Sequence, residues 1–173
     1  MKFEFTGEVK IVFGIQLKRI RALADIDLGW KIIKGGELGG WLEKETNLSQ
    51  FGNAWVYGNA KVYGNAEVCG DAKVCGDAEV YGDAKVYGDM FVGTNKHMLL
   101  IGTIGSRNGF TTFGRNRKGE IKISCGCFFG TTDEFLQKVK QTHGDNEHSV
   151  RYKAAVEFAQ CCVDTTPIED YTV

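Results

Sequence analysis

Between residues 54 and 92, hydrophobic positions recur with a period of six. Valine stands at every sixth residue, at Val56, Val62, Val68, Val74, Val80, Val86 and Val92. Alanine usually precedes the valine by two positions, and residues two apart point to the same side of an extended backbone. Up to Val86, each valine is followed two residues later by glycine and then Asn or Asp, which tolerate the left-handed conformation of a corner. The pattern predicts a short strand and a corner in every six residues.

The polar residues between alanine and valine indicate how these strands stack. They alternate in charge: Lys61, Glu67, Lys73, Glu79 and Lys85. With three strands per turn Lys61 lies beside Glu79, whereas two or four strands per turn would bring like charges together. The six-residue phrase resembles the repeat of left-handed parallel β-helices, and the hand is expected from that resemblance. The predicted fold class is mainly β: a left-handed parallel β-helix, or hexapeptide-repeat solenoid, with an N-terminal β cap and a small C-terminal α+β domain.

These patterns divide the chain into three predicted parts. Residues 1–47 are expected to form an N-terminal β-rich cap, because an exposed end of stacked strands has to be covered. Residues 48–95 form the predicted hexapeptide-repeat region. Residues 96–173 have the mixed pattern of a C-terminal α+β domain.

In the C-terminal part, three strands are predicted, joined by the turns Ser-Arg-Asn-Gly and Asn-Arg-Lys-Gly. Thr131 and Glu134 form the pattern of a capping box, and Gly144 ends the helix that they begin. A second helix is predicted over residues 147–161, and the tail that follows it is expected to be loose. The apolar residues at helical spacing in this second helix are Val150, Ala154, Ala155, Phe158 and Cys162.

Composition and charge exclude some classes of protein. With 21 basic and 22 acidic residues the net charge is -1, so no chain-wide field favours nucleic acid or a membrane surface. The chain has neither an apolar run long enough for a membrane span nor the pattern of a signal peptide, and a cytosolic protein with no membrane partner is expected. Its six cysteines are placed unlike a disulfide framework, which favours free thiols. No cofactor is indicated.

Several segments outside the strict repeat carry a more specific resemblance. They are GGELGGWLEKETNLSQFGNAWVYGNAKVYGNA, IGSRNGFTTF, SCGCFFGTTDEF and THGDN. Together they are similar to a group of uncharacterised bacteriophage and prophage proteins with hexapeptide repeats, over most of residues 18–160. The resemblance implies an accessory protein that acts in the host cytoplasm, and it carries over no catalytic residues.

Basic residues in the C-terminal part are candidates for an anion site. Residues 106–122 contain several basic residues and a single acidic one, Glu120. An arginine in a turn can hold a phosphate through two parallel hydrogen bonds. The predicted ligand is a phosphate-bearing small molecule or a nucleotide, with nucleic acid or protein left as alternatives. The candidate ligand-binding residues are Arg107, Ser106, Arg115, Arg117 and Lys118.

Aromatic side chains in the repeat are candidates for an interface. They are next to the inward-facing valines in the sequence and are therefore expected to point outward, where exposed Tyr and Trp often anchor protein contacts. The alternative is that they only stabilise stacking between strands. Taken together they predict a homo-oligomer, specifically a trimer. The candidate interface residues are Trp55, Tyr57, Tyr63, Tyr81 and Tyr87.

Metal binding and catalysis are less well supported by the sequence. Cys125, Cys127, His143 and His148 are ligand types for zinc, but Cys-x-Cys is an unusual spacing, so buried structural cysteines are favoured and no metal is predicted. Acyltransferases with hexapeptide repeats use a histidine near a subunit boundary, and residues 48–95 contain none. His97 keeps that alternative open. No set of catalytic residues can be assigned, so binding is favoured over catalysis.

The function that combines these expectations is that of a non-enzymatic phage accessory protein. It would be an oligomeric scaffold that binds or sequesters a ligand or a host defence protein, and so counteracts bacterial defence, for example by holding a nucleotide signal. A hexapeptide-type acyltransferase is the alternative.

Overall fold

The computed structural model describes residues 1–168. These residues form two compact units, of which the first is Met1–Asn95 and the second begins at Lys96. The first unit consists of β-strands and short turns, and the second combines a β-sheet with two α-helices. The three-part division of the chain at residues 47 and 95 stays a prediction.

The first unit contains twelve of the strands in the described residues. They are β1 Phe3–Val12, β2 Ile15–Ala22, β3 Ile26–Asp27, β4 Ile32–Ile33, β5 Leu38–Leu42, β6 Trp55–Val56, β7 Lys61–Val62, β8 Glu67–Val68, β9 Lys73–Val74, β10 Glu79–Val80, β11 Lys85–Val86 and β12 Phe91–Val92. Short 3-10 turns lie at Glu45–Asn47 and at Asn95–His97.

The strands of the repeat pair in parallel with an offset of 18 residues. β7 pairs with β10, β8 with β11, and β9 with both β6 and β12. Lys61 Nζ lies 2.7 Å from Glu79 Oε1, and Lys85 Nζ lies 3.7 Å from Glu67 Oε1. The predicted pairing of opposite charges is therefore confirmed. The alanines and valines on the inner side of these strands are 0–1% exposed, as their spacing predicts.

The predicted regular left-handed parallel β-helix is wrong. Each repeat strand is two residues long, and the strand pairs are scattered over separate sheets. The five-stranded sheet, in the order β1-β2-β5-β7-β10, mixes antiparallel and parallel pairs. Glycines such as Gly64, at φ 68°, end each strand after two residues. The structure is mainly β, with mixed sheets, short strand pairs and two helices.

Two asparagines bond to the edges of the paired strands. Backbone N–H groups in this region donate to the strand that follows 18 residues later, as Lys61 N does to Ala78 O at 2.9 Å. The first strands therefore present carbonyl oxygens at their outer edge, and the last strands present N–H groups. Asn47 Nδ2 donates to Gly64 O and Ala66 O at 3.2 and 2.8 Å. Asn95 Oδ1 accepts from Glu79 N at 2.8 Å. The NH₂ group of Asn47 thus satisfies carbonyl oxygens at one edge, and the amide oxygen of Asn95 satisfies an N–H group at the other.

The N-terminal strands form a long antiparallel hairpin. β1 and β2 pair through a two-residue turn at Phe13 and Gly14, whose φ angles are 51° and 80°. Positive φ at both turn residues is the geometry that matches the twist of the strands. β2 then pairs antiparallel with β5, and β5 pairs parallel with β7. The hairpin thus joins directly onto the repeat strands.

The second unit is a four-stranded antiparallel sheet followed by two helices. The elements are β13 Met98–Ile104, β14 Gly109–Arg115, β15 Ile121–Cys125, β16 Phe128–Thr131, α1 Thr132–His143 and α2 Glu147–Cys162. Neighbouring strands in sequence are neighbours in the sheet. Three strands are predicted, and the fourth, β16, is missed because it is only four residues long and directly precedes α1.

Helix α1 begins and ends where the sequence predicts. Thr131 Oγ1 accepts from Glu134 N at 3.3 Å, and Glu134 Oε2 accepts from Thr131 N at 2.8 Å, which closes the capping box. Gly144 ends the helix at φ 59°. The buried face of α2 differs from the prediction: Val150 and Phe158 are 62% and 56% exposed. The residues of α2 that are buried are Ser149, Tyr152, Ala155, Val156 and Ala159.

The chain after α2 is held against the second unit as far as residue 168. Asp164 N donates to Lys96 O at 2.8 Å, and Ile168 N donates to Arg117 O at 3.0 Å. Buried Arg115 donates from Nη1 to the carbonyl oxygen of Thr166. The expectation of a loose tail is therefore wrong for residues 164–168, and the last five residues of the chain lie outside the described part.

Candidate functional site

The predicted outward aromatic stripe is largely covered by the first unit itself. Trp55, Tyr57 and Tyr63 are 0%, 3% and 9% exposed, whereas Tyr81 is 52% exposed and Tyr87 is half-buried. The expectation that all five are exposed is therefore wrong for the first three. Any interface role of Tyr81 and Tyr87, like the trimer, stays a prediction.

The covering residues come from the N-terminal segments. Leu17, Trp41 and Tyr63 form one buried cluster, against which Val12 and Ile15 pack, so the β1–β2 hairpin covers the β5-β7-β10 strands. The Tyr63 and Tyr81 rings stack 5.4 Å apart. The alternative that aromatic residues stabilise stacking between strands thus describes Tyr63.

A second N-terminal segment covers another set of strands. The Trp30 ring lies 6.4 Å from that of Phe91, which places the β3–β4 segment against the β6-β9-β12 strands. Under this cover Lys73 is only 5% exposed, and burial lowers the pKa of its amine to about 8. Sequence alone gives no sign that Lys73 differs from Lys61 and Lys85, because the covering segment is distant in the chain.

The third set of strands, β8 and β11, keeps an accessible outer side. A groove of about 410 Å³ lies there. Within it Lys85 pairs with Glu67, and the Asn65 side chain donates to Asp83 Oδ1 at 3.2 Å. The residues that line the groove are Lys44, Thr46, Asn65, Ala66, Glu67, Asp83 and Lys85. Because both charge signs occur and are paired with each other, this groove does not select for an anion.

The structure divides the predicted anion-binding residues between the two ends of β14. Ser106 and Arg107 lie in the β13–β14 turn and are exposed, whereas Arg117 and Lys118 lie in the β14–β15 turn. A seven-residue strand separates the two turns by about 20 Å. These residues therefore cannot contact one small ligand together.

Arg115 has a structural role. Its side chain is 2% exposed, and besides the bond to Thr166 it places Nη2 3.3 Å from His97 Nδ1. Arg117 Nη2 donates to Ile168 O at 3.5 Å. Both arginines thus bond to the segment that follows α2, which leaves Arg107 as the exposed arginine among the predicted residues.

The β13–β14 turn that carries Arg107 packs against Tyr152 of α2. Gly105, at φ 76°, has no room for a Cβ atom beside the Tyr152 hydroxyl group. Cys125 Sγ lies 3.7 Å from Tyr152 Oη, and Thr111 Oγ1 donates to the same sulfur at 3.2 Å. We call Arg107, Thr111, Cys125, His143 and Tyr152 the Tyr152 cluster.

The hydroxyl group of Tyr152 remains a hydrogen-bond donor at neutral pH. Burial raises its pKa to about 12, the neighbouring Cys125 thiol adds to the rise, and the Arg107 charge opposes it. The Tyr152 ring is fixed by Phe135 at 5.3 Å and by His143 at 5.9 Å between ring centroids. The cluster therefore combines an exposed guanidinium group with a buried hydroxyl group that stays protonated at neutral pH.

The four side chains considered as possible zinc ligands are only partly brought together. The His143 and His148 rings lie 5.5 Å apart, whereas Cys125 ends β15 beside Tyr152 and Cys127 lies exposed in the next turn. Residues 1–168 contain no group of three or more His, Cys, Asp or Glu side chains placed to hold a metal ion. The expectation that Cys125 and Cys127 are buried is wrong, because the strand ends at Cys125: Cys125 is half-buried and Cys127 is exposed.

His97 is not presented as an acyltransferase base would be. Its ring is 7% exposed, and burial, with the nearby Arg115 charge, lowers its pKa to about 4. The neutral ring accepts a hydrogen bond from Arg115 through Nδ1. This environment gives His97 a packing role.

Tyr152 was not identified from the sequence. One signal was available: Tyr152, Ala155, Val156 and Ala159 follow helical spacing, and this face carries a single phenol. The competing face with Val150 and Phe158 looks more hydrophobic, and it is the exposed one.

Comparison with known proteins adds no family to these observations. No protein-family model matches the chain, and no curated protein matches it either. The resemblance to bacteriophage and prophage proteins stays a prediction. In the described part of the chain, no helix has the length and apolar character needed to cross a bilayer.

Proposed function

We propose that this protein is a non-enzymatic binding protein that self-associates and holds a phosphate-bearing small molecule, such as a nucleotide, at the Tyr152 cluster. The observation that carries the proposal is the position of Arg107 in an exposed turn packed against the Tyr152 hydroxyl group. A guanidinium group and neutral hydroxyl donors are the groups that bind phosphate in proteins.

The backbone of the turn supports an anionic ligand. Gly105 and Asn108 both have positive φ, at 76° and 48°, so the turn has the tight conformation in which successive N–H groups can point outward. Ser106 adds an exposed hydroxyl group beside Arg107. No ion pair among residues 1–168 involves Arg107.

Binding is favoured over catalysis by the chemistry around Cys125. A nucleophilic thiol needs a neighbouring base, and the groups closest to this sulfur are the Thr111 and Tyr152 hydroxyl groups. Tyr152, with a pKa of about 12, does not serve as a base at neutral pH. The acyltransferase alternative gains nothing from buried His97.

The biological setting of the proposal follows from the resemblance to phage proteins. In the cytoplasm of an infected bacterium, an oligomer with several phosphate-binding sites would sequester a nucleotide signal of host defence. Several linked sites raise the apparent affinity by increasing the local concentration of binding groups. A host defence protein bound at the same surface is the second form of this proposal.

A thermal-shift screen followed by calorimetric titration tests the binding. The ligands are mononucleotides, linear dinucleotides and cyclic nucleotides, measured with the wild type, Arg107→Ala and Lys118→Ala. Loss of a charged hydrogen bond should weaken binding at least about tenfold in Arg107→Ala. Lys118→Ala removes one exposed charge at the other end of β14 and should bind as the wild type does.

Two results would overturn the proposal. The first is the absence of a shift in the wild type with all of these ligands. The second is equal weakening by the two substitutions, which would indicate general electrostatic attraction.

A further inference from the structure

Phe110 is an exposed aromatic residue beside the turn that carries Arg107. It is the second residue of β14, and its side chain is 40% exposed. The next residue, Thr111, bonds to Cys125 on the side of the sheet that packs against α2. Because side chains alternate along a strand, Phe110 points to the opposite side of the sheet. The proposed phosphate-binding turn therefore has an aromatic ring next to it.

Gly102 of β13 lies directly under this ring. A Cβ atom on Gly102 would collide with Phe110 Cδ1 and would lie 2.6 and 2.8 Å from its Cε1 and Cγ atoms. Such similar distances to three neighbouring ring carbons are those of a point above the ring face, since a point beyond the ring edge would be much farther from Cε1 and Cγ. The missing side chain at residue 102 thus lets one face of the ring rest on the β13 backbone, and the other face is left for a ligand.

We propose that Phe110 is the stacking surface for the base of a nucleotide whose phosphate group is held by Arg107. The inference rests on the proposed function and specifies the ligand class of that site. Three residues extend at most about 10 Å, so one small ligand can contact both side chains. A base is the part of such a ligand that suits an open aromatic ring, because every base has a flat π face.

The residues around the ring suit the edge of a base and the charge of a phosphate group. Asn108 and Thr103 are both exposed, and they lie close in sequence to Phe110 and Gly102 respectively. An amide group and a hydroxyl group each donate and accept hydrogen bonds, as the edge of a base does. Residues 98–115 contain no Asp or Glu, so no carboxylate of β13, β14 or their turn repels the phosphate group.

Phe129 is a matched control in the same sheet. It is 38% exposed and lies on β16, two strands away from β14. It is paired with Ser124, which is paired with Thr112, so it shares the sheet face of Phe110. Two strand spacings separate it from β14 by about 10 Å. Phe129→Ala therefore removes a similarly exposed ring from the same face, but at a distance from the Arg107 turn.

Affinities from nuclear magnetic resonance titration test the inference. The probes are adenosine monophosphate, guanosine monophosphate and ribose phosphate, which has the phosphate group without a base. The wild type should bind both nucleotides at least about fivefold more tightly than ribose phosphate, the effect of one base–aromatic stack. Phe110→Ala and Phe110→Leu should remove this difference and leave the affinity for ribose phosphate unchanged. Phe110→Tyr, which keeps the ring, and Phe129→Ala should bind as the wild type does.

Three results would overturn the stacking role. They are equal affinity of the wild type for nucleotides and ribose phosphate, wild-type affinity for nucleotides in Phe110→Leu, and an equal loss of affinity in Phe129→Ala.

The stacking role and the phosphate site can fail separately. If Arg107→Ala weakens the binding of all three probes while Phe110→Leu changes nothing, the stacking role is wrong and the phosphate site stands. If nucleotide binding depends on Phe110 but not on Arg107, the phosphate site is wrong. A wild type that binds none of the three probes would overturn both.

Discussion

Replacing Asn47 by alanine removes three hydrogen bonds inside the first unit. The side chain is 0% exposed; Nδ2 donates to Gly64 O and Ala66 O, and Oδ1 accepts from Lys44 N at 2.9 Å. A protein hydrogen bond contributes about 1 kcal/mol net, and a buried group left without its partner costs at least as much. Asn47→Ala should therefore lower the free energy of unfolding of this unit by about 3 kcal/mol.

Tryptophan fluorescence during urea unfolding measures this loss directly. The chain has three tryptophans, Trp30, Trp41 and Trp55, and all lie in the first unit. With an m-value of about 2 kcal/mol/M, the midpoint should fall by about 1.5 M urea while m stays unchanged.

The matched control is Asn65→Ala. Asn65 is exposed, and its side chain bonds to Asp83 and Lys44 at 3.2 and 3.3 Å. Because water replaces such bonds readily, this substitution should cost about 0.5 kcal/mol or less. If Asn47→Ala costs no more than Asn65→Ala, the account of Asn47 as the partner of the first strands' carbonyl groups is wrong.

Three further predictions concern single contacts. Lys61→Glu places a second carboxylate beside Glu79 and should destabilise the first unit by about 1 kcal/mol, with recovery in the double variant that also carries Glu79→Lys, measured by the same urea titration. Gly105→Ala adds a Cβ atom at a positive-φ position and against the Tyr152 hydroxyl group, so it should destabilise the second unit by about 2 kcal/mol. Thermal unfolding followed by circular dichroism should show the lower melting temperature. Gly144→Ala, at a positive-φ position with free space around it, should lower the melting temperature less. Burial lowers the pKa of His97 from 6.5 to about 4, so on acidification the unfolded chain binds a proton at a higher pH than the folded chain does. The contribution of neutral His97 to the free energy of unfolding is therefore complete above pH 6.5. It falls by up to about 3 kcal/mol as the pH drops to about 4. Denaturant titrations of His97→Gln should lack that decline.

The local patterns of the sequence predict local structure well. Alanine and valine stand two positions apart, so both side chains point to the same, inner side of the strand. Opposite charges 18 residues apart identify the pairing of Lys61 with Glu79. The capping box at Thr131 and Glu134 depends only on neighbouring residues, and it is present. What these patterns do not contain is how strand pairs are grouped into sheets. The grouping of strands into sheets depends on the N-terminal hairpin, which pairs with the repeat strands, and on the glycines, which end each strand after two residues. For these reasons the prediction of a regular β-helix is wrong.

The candidate sites were harder to predict, since burial depends on residues far apart in the chain. Tyr63 follows β7 at an outward position, yet residues of the N-terminal hairpin cover it. Arg107 and Arg117 are close in sequence but lie at opposite ends of β14, because a strand extends about 3.3 Å per residue. Tyr152 meets Cys125 only through the packing of α2 on the sheet.

Nuclear magnetic resonance titration with the best nucleotide of the screen tests the account most directly. Ligand-dependent shifts of backbone amides are predicted in the β13–β14 turn around Arg107 and beside Thr111, Cys125 and Tyr152, with the β14–β15 turn around Lys118 unchanged. Shifts centred on the Lys118 turn, or on the groove beside Glu67 and Lys85, would contradict the assignment of the Tyr152 cluster as the binding site.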